Sequence, residues 1–551
     1  MEEYVDSALS TLIQGASRVA GLGLTGERDG SRELETQHQE LRAMESALEL
    51  LKKRMECHIS TKRRRRNSQL PISRLPHELL IEIFHLSLTT DDNYFDDLLD
   101  LALVSKDWNI VVFETPFLWM FIHSAHPRSP YSTTLAKSKG LPLRIKLEDV
   151  DPGPSYLVDP EISRFLASIY KEVHRWRAVE LDFQSCDSFQ TIKHIQSLAA
   201  PYLEELVIDL TYCNYAADME LEALLEGGTP RLRYLTLYDV PLLWTPRLLF
   251  RLRYLTIVGY TVLGPSEGEA ANILRECPDL VELYLHCHNS TIDLEPIPMT
   301  PIDLPSLAAL NLGVPPGMLG ALLTLIRIPA CRTLRIWERE QERTPKIITE
   351  ATRHLAPVIQ SITHSVPVLS IELEGARVAV NAGVRSTTRL QLHFRQDSLK
   401  DIFTWILGDS YSDPSLPEIS LSAKYHEGDI MTALEELPSV SKLNVEGAGN
   451  KVVTFLTHPL MKDGTLHWHL PDLQRLSLSK CDPIDLYLVI RMVESRSGHN
   501  GKGRSHNGGK EEKQVLPCKL KHLCLPNIAA NSGDLQSLTM LKKLMELSFR
   551  D

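Results

Sequence analysis

From about Arg175 to its end the chain repeats one phrase, apolar residues at L-x-x-L-x-L spacing directly after a proline or a basic residue. The clearest copies are Leu203-x-x-Leu206-x-Ile208, Leu232-x-x-Leu235-x-Leu237, Leu252-x-x-Leu255-x-Ile257 and Leu280-x-x-Leu283-x-Leu285. Further copies start at Leu307, Leu473, Leu520 and Leu544, with degraded ones at Leu334, Leu369, Leu390, Ile419 and Val440. The x-L-x-L core has the period of two that a strand needs. Segments of helical period follow many copies: Met219 to Leu225, Ala270 to Leu274, Met318 to Ile326, Leu399 to Leu407, Ile430 to Leu437 and Leu486 to Val493. One such unit cannot bury its own apolar edge, so its leucines must stack on those of the next unit. The pattern predicts an α/β solenoid. A doubly wound sheet would show fewer, longer apolar strands and no leucine ladder. Spacing is uneven, from about 19 to 47 residues, and the rungs from Leu334 to Leu421 are expected to be distorted.

Upstream, residues 70–119 have helical rather than strand-like logic. Pro76 suits the start of a helix, and Glu78 in the first turn complements its dipole. Leu79, Leu80, Ile83, Phe84 and Leu88 recur at steps of three and four, too wide a stripe for a lone helix to bury. Leu98, Leu101, Val104 and Trp108 repeat the period, and Ser105 is placed to cap a third short helix holding Trp108, Val111 and Val112.

The run Leu75-Pro76-x-Glu78-x-Leu80-x-x-Ile83-Phe84, then Leu98, Leu101, Val104 and Trp108, then Thr115-Pro116-x-Leu118-Trp119, resembles an F-box, in the F-box-like spelling common in mushroom-forming fungi. The resemblance covers about a tenth of the chain and implies a three-helix domain that docks on a Skp1-like adaptor and through it on a cullin. Carried over position by position, Leu75, Pro76, Leu80, Ile83, Phe84, Val104 and Trp108 would form the docking surface or its immediate support. Ser105 stands where the family often has Cys, and the loop from Leu86 to Phe95 is longer than in a minimal F-box. The mean step of the downstream phrase, roughly 28 residues, resembles that of leucine-rich repeats.

The expected organisation is a disordered N-terminus (1–30), a short heptad helix (31–60), a basic linker (61–69), the F-box-like domain (70–122), a connecting region (123–174) and the solenoid (175–551). Within the solenoid, residues 495–514 hold no large apolar side chain and read as a flexible insertion. In the heptad segment Leu34, Leu41, Leu48 and Met55 fall seven apart, with Met44 and Leu51 at the other seam position. Weak self-association through residues 34–55 competes there with a solvated helical lead-in. The run Lys62-Arg63-Arg64-Arg65-Arg66 must be solvated, and reads as a nuclear-import signal or a contact for an acidic partner.

A net charge of −12 over 551 residues argues against nucleic-acid binding by the chain as a whole. The nine cysteines include no CxxC pair, which favours reduced thiols and a cytoplasmic or nuclear protein. No apolar run approaches the ~18 residues of a membrane span.

Catalytic patterns are missing. The glycines from Gly503 to Gly509 lack the ordered Gly-Lys-Ser/Thr of a phosphate loop. His286-Cys287-His288 and His467-Trp468-His469 each put two imidazoles on one side of a strand, without the third ligand a metal site needs. No cofactor and no enzymatic activity are expected. The residues beside the leucines of each strand form columns: Glu205, Tyr234, Tyr254, Glu282, then Arg389, Lys442, Arg475, His522; and Asp209, Tyr238, Val258, His286, then Trp337 and His393. Aromatics gather in the first half and basic groups in the second, so Tyr234, Tyr254, Tyr284, Trp337, Arg389, Lys442 and Arg475 are candidate target-binding residues. The leading reading is a substrate receptor of a Skp1-cullin-F-box type ubiquitin ligase. The alternative is a ligase-independent leucine-rich scaffold or nuclear adaptor.

Overall fold

A computed structural model describes residues 30–525 apart from 89–92, 125–130, 149–159, 184–193, 213–223, 243, 245–247, 289–299, 337–349, 375–376, 385–386, 396–398, 409–416, 424–425, 438, 463–464 and 498–516, and in addition 539 and 546–549. The expected disordered N-terminus, the helical stretch before Leu224, Trp337 and nearly all of the 495–514 insertion lie outside these residues. The chain divides into two compact units, Met1–Phe121 with His126–Leu141, and Ile122–Ala125 with Pro142–Asp551.

The first unit opens with helix α1 (Gly30–Asn67), 38 residues and so about 57 Å long. It corrects one expectation. Lys62 to Arg66 do not form a linker but continue the helix to Asn67. Cationic side chains near a helix C-terminus oppose the negative end of its dipole, so the basic run is favoured there.

Three short helices follow, α2 (His77–Ser87), α3 (Tyr94–Val104) and α4 (Lys106–Glu114). Pro76 takes the N-cap of α2, one position ahead of its expected place, and Ser105 caps α4, its Oγ accepting from the Trp108 N–H at 3.1 Å. Their shared core is Leu80, Phe84, Leu98, Val111, Val112 and Trp119, with neighbours. Two buried polar groups lock it. The Tyr94 hydroxyl donates to the Leu118 carbonyl at 3.0 Å, and the Trp119 indole N–H donates to the Val112 carbonyl at 2.8 Å. The Phe84 and Trp108 rings meet at 4.7 Å.

The second unit is a large mixed sheet with helices between its strands. It begins earlier than expected. Strands β1 (Phe121–His123) and β2 (Leu143–Glu148), in the supposed connecting region, already belong to it, and helix α5 (Pro160–Tyr170) follows them. Then come β3 (Trp176–Asp182), β4 (Glu205–Asp209), β5 (Tyr234–Tyr238), β6 (Tyr254–Gly259), β7 (Glu282–Cys287), β8 (Ala309–Gly313) and β9 (Thr333–Ile336). From β2 to β9 each strand pairs in parallel with the next.

The distorted region has a definite topology. Strands β10 (Val368–Glu374), β11 (Arg377–Val384) and β12 (Thr387–Arg395) form an antiparallel meander, entered in reverse spatial order: β9 pairs with β12, and β10 pairs with β13 (Glu418–Ala423). Leu390 therefore stacks next to Leu334, ahead of Leu369, although it follows Leu369 in the chain. Parallel pairing resumes through β14 (Lys442–Glu446), β15 (Arg475–Ser479), β16 (His522–Leu525) and β17 (Glu546–Phe549).

Registry holds through this inversion. One ladder runs Leu206, Leu235, Leu255, Leu283, Leu310, Leu334, Leu390, and resumes past Ala382 as Leu369, Ile419, Leu443, Leu476 and Leu523. These leucines are buried, as the stacking of neighbouring units requires. Helices bury apolar faces too: Ile402, Phe403 and Ile406 from Leu399–Leu407, and Ala270, Ile273 and Leu274 from Glu267–Glu276, whose start carries a Ser266/Glu269 capping box. Helix Leu486–Arg496 contains Ser495 and buries Arg496, so the polar insertion starts later than residue 495. The Arg496 guanidinium donates to the carbonyls of His469 and Leu470, and burial pushes its pKa down to about 10.

Candidate functional site

The first candidate is the outer surface of α2, α3 and α4. On a helix, positions 79, 83 and 86 share a face, and in α2 they are Leu79, Ile83 and Leu86, all exposed although aliphatic. Leu103 and Val104 at the end of α3 and Ile110 on α4 are exposed as well; Leu86 and Leu103 keep 76% and 79% of their surface in water. The unit therefore closes a core on one side and leaves bare aliphatics on the other. Exposed apolar groups at this density mark an interaction surface.

The expected docking residues divide accordingly. Ile83, Val104 and Pro76 face solvent, and Leu75 and Trp108 are half-buried. Leu80 and Phe84 are enclosed in the unit's own core and present nothing to a partner; they support the surface from beneath. Leu79, Leu86, Leu103 and Ile110 were missed as surface residues, because periodicity marks a wide stripe without saying which edge of it the neighbouring helices cover.

The second candidate is the sheet face opposite the leucine ladder. The registers make the columns real objects: Glu205, Tyr234, Tyr254 and Glu282 are lateral neighbours, and so are Asp209, Tyr238, Val258, His286 and Gly313. Tyr234 and Tyr254 stack at 4.4 Å with their planes 6° apart. Tyr284 lies in a third column, between Thr256 and Asn311, and Arg335 continues it. Burial, and secondarily the neighbouring ionisable groups, raises the pKa of Tyr284.

Tyr260, His286 and His288 form an aromatic cluster, with ring centroids 5.2 to 5.6 Å apart. Gly313 is needed beneath it, since a Cβ there would collide with the His286 imidazole. Among the described residues no group of three or more His, Cys, Asp or Glu is placed to hold a metal ion. His469 instead packs on Phe455, ring centroids 3.7 Å apart, and burial lowers its pKa.

The basic half of the face is more mixed than the sequence suggests. Lys442, Arg475 and His522 are neighbours in one column, but Glu546 lies next to His522 in the same register. Arg389 donates to the Ser365 hydroxyl at 3.2 Å, far along the sheet from the tyrosine pair.

Residues 72–124 match the F-box-like family, so the chain carries an F-box-like domain there. No curated protein matches the chain. No helix among the described residues is long and apolar enough to cross a membrane.

Proposed function

We propose that this chain is a substrate-recognition subunit of a Skp1-cullin-F-box type ubiquitin ligase. The observation that carries the reading is the bare aliphatic surface of Leu79, Ile83, Leu86, Leu103 and Val104 on a domain with a closed core and an F-box-like sequence. A Skp1-like adaptor would cover those side chains. Removing aliphatic surface from water contributes ~25 cal/mol per Å² before the costs of association, so a few such residues can anchor an interface.

In this reading the downstream sheet is a leucine-rich-repeat solenoid whose polar face captures the target. The Tyr234/Tyr254 stack would supply a rigid aromatic anchor at small entropic cost. The chain contributes proximity rather than chemistry, raising the effective concentration of target lysines beside a ubiquitin-loaded enzyme held by other subunits.

The test is co-purification with a Skp1-like adaptor of the wild type and of an Ile83→Asp, Leu103→Asp variant. Both positions are exposed, so the variant should fold. Adaptor binding by the wild type that the folded variant loses supports the reading. A folded wild type that binds no adaptor would leave the scaffold alternative in first place.

A further inference from the structure

Helix α1 carries an apolar stripe that its own unit does not cover. Leu41, Met44, Leu48, Met55 and Ile59 are exposed, Leu48 by 68%, and Leu51 is half-buried. The spacing of Leu41, Met44, Leu48, Leu51 and Met55 is that of a coiled-coil seam. An isolated solvated helix has no use for such a seam, and charge indicates what covers it.

The helix is polarised along its length. In its first half Glu33, Glu35, Glu40, Glu45 and Glu49 outnumber Arg32 and Arg42; in its second half Lys52, Lys53, Arg54 and the run from Lys62 to Arg66 oppose Glu56. A parallel pair would lay two basic runs side by side and set Glu40 next to Glu45 of the second copy, which is repulsive. An antiparallel pair removes both conflicts. With the two helices overlapping along nearly their whole length, Leu48 faces Leu51 of the second copy, Met44 faces Met55, and Glu45 flanks Lys52 twice by symmetry. The basic end then lies along the acidic beginning of the other helix.

We propose that α1 pairs with α1 of a second copy of this chain as an antiparallel two-helix coiled coil, centred between Glu49 and Leu50. The contact is isologous, as two-fold dimers require. It also gives Lys62 to Arg66 a role, electrostatic choice of orientation. The Arg64 ion pair with Asp107, 3.5 Å long and exposed on both sides, is too weak to withhold that charge. Two stripes would bury on the order of 1,000 Å², near the lower bound for a specific interface, so association is expected at micromolar rather than nanomolar concentrations.

The test uses the full chain. Sedimentation should show a dimer at tens of micromolar, and Leu48→Asp with Leu51→Asp should weaken self-association at least tenfold. Because those changes can also perturb the helix, a charge exchange provides the second measurement. Glu45→Lys or Lys52→Glu alone should weaken the dimer, and the two together should restore it. Orientation is read by oxidation in a Cys57→Ser, Cys518→Ser background, where a Met44→Cys chain should cross-link to a Met55→Cys chain. A monomer at 100 μM or more (about −5.5 kcal/mol of binding or weaker), a Leu48→Cys chain that cross-links to itself in preference to the Met44/Met55 combination, or an exchange that does not restore pairing would overturn the proposal.

Discussion

Ile83 and Phe84 are adjacent in the chain and face opposite ways. Phe84 is fully buried against Trp108, whereas Ile83 is exposed. Replacing Phe84 by Ala should cost about 3 to 5 kcal/mol, as large aromatic truncations in cores do, visible as a lower urea midpoint for the first unit. Ile83→Asp should leave that midpoint nearly unchanged. Their shared helical period placed both in one docking set, and only the packed neighbours α3 and α4 separate them. Asp239 left no signal at all. It is fully buried with φ 50°, and its Oδ1 accepts the backbone N–H groups of Tyr260 and Thr261 at 2.6 and 2.8 Å, tying the turn after β5 to the turn after β6. In the sequence it is one more Asp after a strand. Asp239→Ala should destabilise the second unit by about 2 kcal/mol, the usual cost of orphaning buried donors, measurable by denaturant unfolding.

At the scale of elements, the leucine phrase identified the strands because period two is a local property. Direction and order are not local. Leu369-x-Ile371-x-Leu373 and Leu390-x-Leu392 read the same whichever way the strand runs, so the β10–β12 meander and its inverted order were hidden. The fully exposed α1 was legible as a helix, but its continuation through the basic run was not, since like charges in sequence suggest a solvated linker equally well. The interior of the repeats also makes a chemical prediction. Burial pushes the thiols of Cys277 and Cys331 up to about 11 and that of Cys287 to about 12. At pH 8 a maleimide should label the exposed Cys57 and Cys518 and spare these three in the folded chain. The folded state holds the three protons more tightly than the unfolded chain, whose thiols titrate near 9. Their contribution to stability is therefore complete below pH 9 and is lost as pH rises toward 11 to 12, which an alkaline unfolding series would show.

For the whole molecule, the sequence distinguished a helical N-terminal part from a strand-rich remainder, and the chain does divide into two units. It placed the start of the sheet too late, because β2 is followed by the polar residues 149–159 rather than by another leucine copy. The target stays out of reach of any such reading, since the polar columns carry side chains free to vary without disturbing the ladder behind them. Docking on the adaptor is the claim on which the functional account depends. It is tested most directly by hydrogen–deuterium exchange of the full chain with and without a Skp1-like adaptor. The account predicts new protection concentrated in α2, at the end of α3 and in α4, with the strands β4 to β7 unchanged. An adaptor that binds without protecting those helices, or that protects the sheet instead, would contradict it.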